Sequence, residues 1–468
     1  MERIKYLIKN SLIFTIGNLG SKLITFVLVP FYTHYLSTKE YGMVDLVTTT
    51  IQLLIPLASL GLSDSIIRFG LDKKYDQKKI FTNSLTVVVS GFFIVAIFLK
   101  TINYFYEINF MDVLLALLFL QCIQILFSTY IRSLEKVTLY TINSILYTLI
   151  ICIFSILFLK YYNLGVAGYF YAQILAAVIS LVMLVFFGKL HQKFSFHRID
   201  RLIIKEMLLF STPLIPSGLS WWVINSASRY LILFFVGASG NGIFAVSTKI
   251  PSLMNLVQNI FIQAWQMTAI QENESDDKER FFGKVFDYYS YFSFVVVFIL
   301  IIIQRPIVEI LFNHSYFIAW RVIPFLLLGS MYSSFSNFIG QIYVSEKKTA
   351  GIFKTTLFSA IFSLLLSMAC IPFIGLIGAG IAQMVGWLAT FLYRIKDIKT
   401  IIEIPFNLKP ILFYQLVLTM SIGVVFLFSN QGIIYWIIQV SLFLLSMSKY
   451  RVMIRSIIMI IKRGVKRR

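Results

Sequence analysis

Three basic side chains, Lys22, Arg229 and Lys249, stand inside stretches of sequence that are otherwise apolar, and their placement is the first chemical signal in this chain. A charge held at the depth of a membrane is costly, so such a group faces a partner or a watered cavity and is a site candidate by default. Arg229 carries a planar fork able to grip two oxygens of one phosphate, whereas Lys22 and Lys249 are point charges. Lys22 is about midway along its stretch and too deep to snorkel comfortably, while Arg229 and Lys249 lie near enough to one end for their stems to reach the interface. Together they suit recognition of an anionic group. Two acids oppose them: Asp45, placed to hold a coupling cation or proton, and Asp64, which precedes Arg68 by one helical turn and predicts a local ion pair. Trp221, Trp222 and Trp265, with Asn225, Ser226, Ser228, Gln258, Asn259, Gln263 and Gln266, crowd the same neighbourhood of the sequence. Aromatic faces and amide or hydroxyl groups suit sugar rings, and the same groups also suit hydrogen bonding between helices.

Other chemistries find no support. Gly17-x-x-Gly20-Ser-Lys22 has the wrong spacing for a nucleotide-binding loop, and neither a His-Glu-x-x-His helix nor a Gly-x-Ser-x-Gly elbow occurs. His34, His191, His197 and His314 are scattered, and Cys122, Cys152 and Cys370 fall in apolar stretches with neither metal-ligand nor disulfide spacing. No metal or cofactor is expected, and no connecting loop is long enough to carry a catalytic domain, so the reading is of a transporter and not an enzyme.

The elements that must position these residues are membrane helices. The chain is 58% hydrophobic and only 13% charged over 468 residues, far from a soluble domain. Fourteen stretches can cross a hydrocarbon core of about 30 Å: roughly 10–33, 41–65, 85–106, 110–131, 138–160, 164–188, 207–236, 242–271, 285–304, 319–345, 352–372, 376–393, 410–428 and 432–447. Of the 41 Lys and Arg residues, 33 fall in the N-terminus, in every second loop and in the tail, and 5 in the alternate loops, which predicts both termini on the cytoplasmic side. The net charge of +20 is then loop and tail charge facing an anionic membrane surface, and nucleic acid is not an expected partner. The first stretch lacks the pattern of a cleaved leader and is expected to remain as an anchor, and the basic tail 449–468 could lie on the membrane as a helix.

The sequence also repeats. Gly165-x-x-Gly168-x-x-x-Ala172-Gln173 recurs as Gly375-x-x-Gly378-x-x-x-Ala382-Gln383, Glu135-Lys136-x-Thr138 as Glu346-Lys347-x-Thr349, and Tyr41-Gly42 with Thr48 is answered by Asn241-Gly242 with Thr248. Six spans per copy is an even number, so the repeats are parallel, with a cavity expected between them. The glycine patches suit close helix packing, with a hinge role as the alternative. The expected organisation is an all-α integral membrane fold: a six-helix bundle over 1–190, a second over 191–400, and two appended helices with a basic tail over 401–468.

Several of these segments resemble a known family. Asn18-x-Gly20-Ser-Lys22-Leu-Ile, Pro30-Phe-Tyr-Thr-x-Tyr-Leu with Glu40-Tyr41-Gly42, Pro213-Leu-Ile-Pro216-Ser-Gly218 with Trp221-Trp222 and Asn225-Ser-x-Ser-Arg229-Tyr, then Lys249-Ile-Pro251 and Phe261-x-Gln263-Ala-Trp265, are similar to the bacterial polysaccharide flippases of Wzx type. The resemblance covers essentially the whole chain and is most specific between 213 and 265. It implies membership of the multidrug/oligosaccharidyl-lipid/polysaccharide exporter superfamily, a MATE-like fold, residence in the bacterial cytoplasmic membrane, and transfer of polyprenyl-diphosphate-linked oligosaccharide from the inner to the outer leaflet. Under that implication Arg229, Lys249 and Lys22 hold the diphosphate, and Trp221, Trp222, Asn225, Gln263 and Trp265 read the sugars. Membrane lipids and other polysaccharide assembly proteins are the remaining partners. The alternatives are a lipid II flippase, a multidrug exporter, a membrane-bound glycan polymerase and a non-transporting scaffold.

Overall fold

The structure is a computed structural model that describes residues 20–448 apart from 73, 196–197, 273–274, 347, 349 and 429–431. Among the described residues it is helix and connecting turn, without strands. Helix α1 covers 20–35, followed by α2 (Thr38–Ala58), α3 (Leu62–Gly70), α4 (Gln77–Tyr106), α5 (Met111–Ser133), α6 (Val137–Ser155), α7 (Gly165–Gly188), α8 (Arg201–Ser211), α9 (Ile215–Ser226) and α10 (Ser228–Phe235). Then come α11 (Ala238–Ser247), α12 (Lys249–Gln271), α13 (Lys278–Leu311), α14 (Ile323–Ser345), α15 (Ala350–Ile398), α16 (Leu408–Phe428) and α17 (Ile433–Ser448).

The described part of each predicted span is helical, with local breaks whose causes are visible. The second span is cut between α2 and α3 at Gly61, whose φ of 66° leaves the helical region. The fifth ends in a π-helical turn, Ile156–Tyr161. The seventh is divided at Thr212–Leu214, where Pro213 removes a backbone donor, and again at Ala227. The predicted spans 352–372 and 376–393 are the two halves of α15, which folds back at Gly375 (φ 56°, ψ −134°) behind Pro372.

By length and hydropathy, nine helices among the described residues can cross a membrane, or ten if the pair His314–Arg321 and Ile323–Ser345, bent by 52°, is one span. The difference from fourteen has identifiable sources. The helix α15 holds two predicted spans, α17 is short, α11 and α12 are separated at Thr248 and carry many polar residues, and residues 1–19 of the first span lie outside the described residues. The basic tail 449–468 lies outside them as well.

The helix starts obey local chemistry. Ser37 caps α2 in a capping box: its hydroxyl accepts from the Glu40 N–H, and the Glu40 carboxylate accepts from the Ser37 N–H at 2.8 Å. Glu40 of the Glu40-Tyr41-Gly42 motif is thereby a helix-starting residue. The repeated Gly-x-x-Gly patches play equal parts in the two copies. Gly165 and Gly375 both take positive φ, 53° and 56°, at the turn into a helix; a Cβ at Gly378 would stand 2.7 Å from the Cys370 carbonyl and is excluded, while one at Gly168 would stand 3.0 Å from the Phe158 and Leu164 side chains, which would have to give way. Close packing, the reading first given to these glycines, fits Gly168 and Gly378, and the structure adds a turn-forming role for Gly165 and Gly375.

Cα proximity divides the chain into two compact units, Met1–Ala245 and Val246–Arg468, a boundary inside α11, whereas the repeat places a division near 190. In the first unit the core is built by α2, α3, α4, α5, α7 and α8 through residues such as Ile51, Ile66, Phe81, Leu117, Phe127, Tyr130, Phe170 and Met207. At one end of it, Lys79 pairs with Asp200 at 3.0 Å, Arg198 pairs with Asp76, and the Tyr75 hydroxyl donates to Glu206 at 2.9 Å. These contacts join loops 66–84 and 189–206, which the charge alternation had assigned to one side. The Lys79 ammonium holds the half-buried Asp200 carboxyl below its usual range. In the second unit, Lys278 pairs with Glu346 at 2.9 Å and likewise joins two loops of equal predicted sidedness.

Candidate functional site

The centre of the first unit's polar chemistry is one stripe of α2. Gly42, Asp45 and Thr49 recur at helical spacing, and α9, α10 and α11 lie against them. The approach begins with glycine. A Cβ on Gly42 would fall onto the Ala238 carbonyl oxygen, and one on Gly242 onto the Thr38 carbonyl oxygen, so the two helices cross backbone to backbone. Gly42 and Gly242 are equivalent positions of the sequence repeat, and the structure brings them into contact with each other. Asn241, fully buried, seals the crossing by donating from Nδ2 to the Gly42 carbonyl at 2.9 Å and to Asp45 Oδ2 at 3.3 Å.

Arg229 reaches the same carboxylate. Its Nε donates to Asp45 Oδ2 at 2.7 Å, its Nη1 donates to the Asn225 carbonyl at 2.9 Å, and its Cζ stands 5.7 Å from the Phe244 ring centre. Both side chains of the pair keep only 11% of their exposure. An ion pair this enclosed is weak evidence for stability, yet removing one partner strands the other charge at a cost of about 3–5 kcal/mol. Asp45 had been read as a cation or proton site and Arg229 as an anion grip; each is the other's partner in this structure.

The remaining predicted site residues separate by burial. Trp222 is buried against α2, its indole N–H donating to the Thr49 carbonyl at 3.2 Å, and Tyr230 shares a 2.7 Å hydrogen bond with Thr50. Trp221, by contrast, is 54% exposed. The Asn225 amide donates to the Trp221 carbonyl at 2.8 Å within its own helix. Lys22 is exposed on α1, with no hydrogen bond or ion pair to its ammonium among the described residues. Asp64 and Arg68 are both exposed on α3, and no ion pair joins them; the expected i, i+4 pair is not formed, since both side chains are free to extend into solvent instead.

In the second unit, Lys249 is half-buried at the first residue of α12. Trp265 is 3% exposed: it stacks on Phe338 at 4.3 Å and its N–H donates to the Phe338 carbonyl at 3.1 Å, so both its face and its polar edge are occupied by protein. Gln263 lies on α12 with its side chain outside the described residues.

Sequence reading missed one buried charge. Arg394 had been counted with the loop 394–409, but α15 continues through it and buries it to 3% exposure. Its Nε donates to Thr355 Oγ1 at 3.1 Å, its Nη1 to the Ser336 carbonyl at 2.6 Å and its Nη2 to Thr356 Oγ1 at 2.9 Å. The available signal was Thr355-Thr356 together with Gly340, which leaves room for the guanidinium: a Cβ there would be 3.3 Å from Arg394 Nη1.

The polysaccharide biosynthesis protein family matches residues 7–266, more than half of the chain, and its range ends just past Trp265. The chain belongs to this family. An uncharacterised membrane protein of Methanocaldococcus jannaschii is 23% identical over 427 residues, which cover 81% of this chain and 82% of that protein. Among solved structures, the lipid II flippase MurJ in an inward closed conformation has a TM-score of 0.70 at 15% identity, covering 95% of this chain and all of that one. An inward-facing multidrug resistance MATE family transporter of the MOP superfamily has a TM-score of 0.65 at 16% identity, covering 82% and 94%. A MOP superfamily transporter from Pyrococcus furiosus, described as having a binding pocket of reversed polarity, has a TM-score of 0.61 at 15% identity, covering 84% and 95%. These likenesses establish a MOP-superfamily fold for this member of the polysaccharide biosynthesis family, in agreement with the Wzx-type resemblance, and make it a multi-pass membrane protein.

Proposed function

We propose that the protein is a flippase that carries polyprenyl-diphosphate-linked oligosaccharide from the inner to the outer leaflet of the cytoplasmic membrane for surface polysaccharide synthesis. The observation that carries this reading is the Arg229 guanidinium, held inside an apolar span by a chain of the polysaccharide biosynthesis family. A diphosphate cannot cross hydrocarbon unaided, because a charge at the bilayer centre costs several kcal/mol or more. A cationic cavity between two six-helix bundles, 1–190 and 191–400, would neutralise it, and rocking of the bundles would expose the head group on the other side. Arg229, Lys249 and Lys22 supply the positive charge in this scheme. Trp221, with its exposed face, is the aromatic residue best placed to stack on a sugar, and Asn225 and Gln263 supply amides to its hydroxyls. The burial of Trp222 and Trp265 supports indirect roles for them, Trp222 fixing α9, which leads into the Arg229 helix, and Trp265 fixing the helix that carries Gln263. Asp45 and Asp64 are the acids available for coupling to an ion gradient. No covalent step and no cofactor enters, and both termini are assigned to the cytoplasm.

The test is the sidedness of lipid-linked oligosaccharide in depleted cells, read with a sugar-cleaving enzyme that cannot cross the membrane. Accumulation of protected, cytoplasm-facing oligosaccharide is expected. Normal delivery to the outer face, without a redundant carrier, would sink the reading, and accumulation of protected lipid II would reassign the substrate. Arg229→Ala is expected to abolish export with the protein still inserted, and Arg229→Lys shows whether charge without the fork suffices.

A further inference from the structure

We propose that Asp45 is the resident counter-ion of Arg229, displaced from the guanidinium when the substrate's diphosphate binds and returned to it when the head group leaves. The proposal rests on the flippase reading and adds to it how the same site loads and releases. Its basis is an incomplete grip. A carboxylate facing an arginine side-on can accept from two N–H groups at once. Asp45 takes only Nε, through Oδ2, while Nη1 is held by the Asn225 carbonyl. Nη2 and Asp45 Oδ1 have no hydrogen-bond partner among the described residues, so half of the fork is open on each side. The neighbouring Ser228 hydroxyl is buried and likewise has no hydrogen-bond partner among the described residues.

A phosphate oxygen pair can occupy both Nε and Nη2, which the carboxylate does not, and it gains one further charge-assisted hydrogen bond by taking its place. The displaced carboxylate is not abandoned, because Asn241 Nδ2 already donates to the same Oδ2 at 3.3 Å from a different helix. Asn241 is itself fixed by the Gly42 carbonyl, so it can hold Asp45 while Arg229 is engaged elsewhere. With the substrate bound, the carboxylate stands close to a diphosphate and repels it. That repulsion lowers affinity, and a transported group must bind well enough to enter and weakly enough to leave. Asp45 therefore sets the release step, and the pair stays neutral between cycles.

The test uses the purified full-length protein in detergent, with farnesyl diphosphate and inorganic pyrophosphate as probes. Asp45→Asn keeps the side chain's shape and removes its charge. It is expected to bind the probes about tenfold more tightly than the unaltered protein, a change of about 1.4 kcal/mol, and to slow export in cells. In an Arg229→Ala background the same substitution should change nothing, because the competition is for that guanidinium. Asp45→Ser is the second variant should Asp45→Asn fail to fold. Equal or weaker binding by a folded Asp45 variant, or failure of that variant to bind either probe, overturns the counter-ion role. So does a gain that persists without Arg229. Failure of the flippase reading shows separately, as normal leaflet sidedness in depleted cells.

Discussion

At the scale of single residues, tryptophan separates into two kinds that composition does not distinguish. Trp265 has its ring stacked on Phe338 and its N–H committed to the Phe338 carbonyl, while Trp221 leaves more than half of its surface open. Trp265→Ala should destabilise the protein by about 3–5 kcal/mol through loss of packed volume. Trp221→Ala should stay within about 0.5 kcal/mol, as an exposed substitution does. Thermal unfolding of the two purified variants checks the contrast, and equal losses would show that Trp221 also packs. Arg394 belongs at this scale too. All three of its nitrogens are bonded to neutral oxygens, so its charge is satisfied without a carboxylate. It joins α14 to the first half of α15 from the second half, and counting charges in loops could not have found it.

At the scale of elements, the crossing of α2 and α11 decides where the charged residues stand. Gly42 and Gly242 allow backbone contact, and only at that separation can Asn241 reach both the Gly42 carbonyl and Asp45. Gly42→Ala drives a methyl group into the Ala238 carbonyl, and overpacking of this kind costs about 1–3 kcal/mol. The expected outcome is a lowered unfolding temperature together with reduced export. Gly218→Ala is the control, since nothing lies within 4 Å of a Cβ there, and it should leave both readouts unchanged. A Gly42→Ala protein as stable as the unaltered one would mean that the crossing tolerates separation. The repeat, read in sequence as Tyr41-Gly42 against Asn241-Gly242, aligned these two glycines without placing them at a crossing. That the equivalents touch was not legible, because offset in sequence carries no distance in space.

At the scale of the whole molecule, charge alternation makes a prediction that labelling can check. In a protein without Cys122, Cys152 and Cys370, a cysteine at Glu107 should react with a membrane-impermeant thiol reagent in intact cells. Cysteines at Lys74 and Lys348, both exposed in loops of the other parity, should react only after permeabilisation. Labelling of all three from outside would overturn the assigned orientation. The membrane class and the helical positions of the spans follow from sequence alone, because runs of apolar residues and the placement of Lys and Arg are local properties that hydrocarbon reads directly. The candidacy of Lys22, Arg229 and Lys249 follows from it for the same reason, as does the agreement of same-side loops, later seen as the Lys79–Asp200 and Lys278–Glu346 pairs. What only tertiary structure decided is who faces whom. Asp45 and Arg229 are 184 positions apart, Trp265 and Phe338 are 73, and Arg394 finds its acceptors on two other segments. Pairing at such separations depends on how close two backbones can come, and at the α2–α11 crossing that closeness is set by Gly42 and Gly242, whose contact no local pattern names.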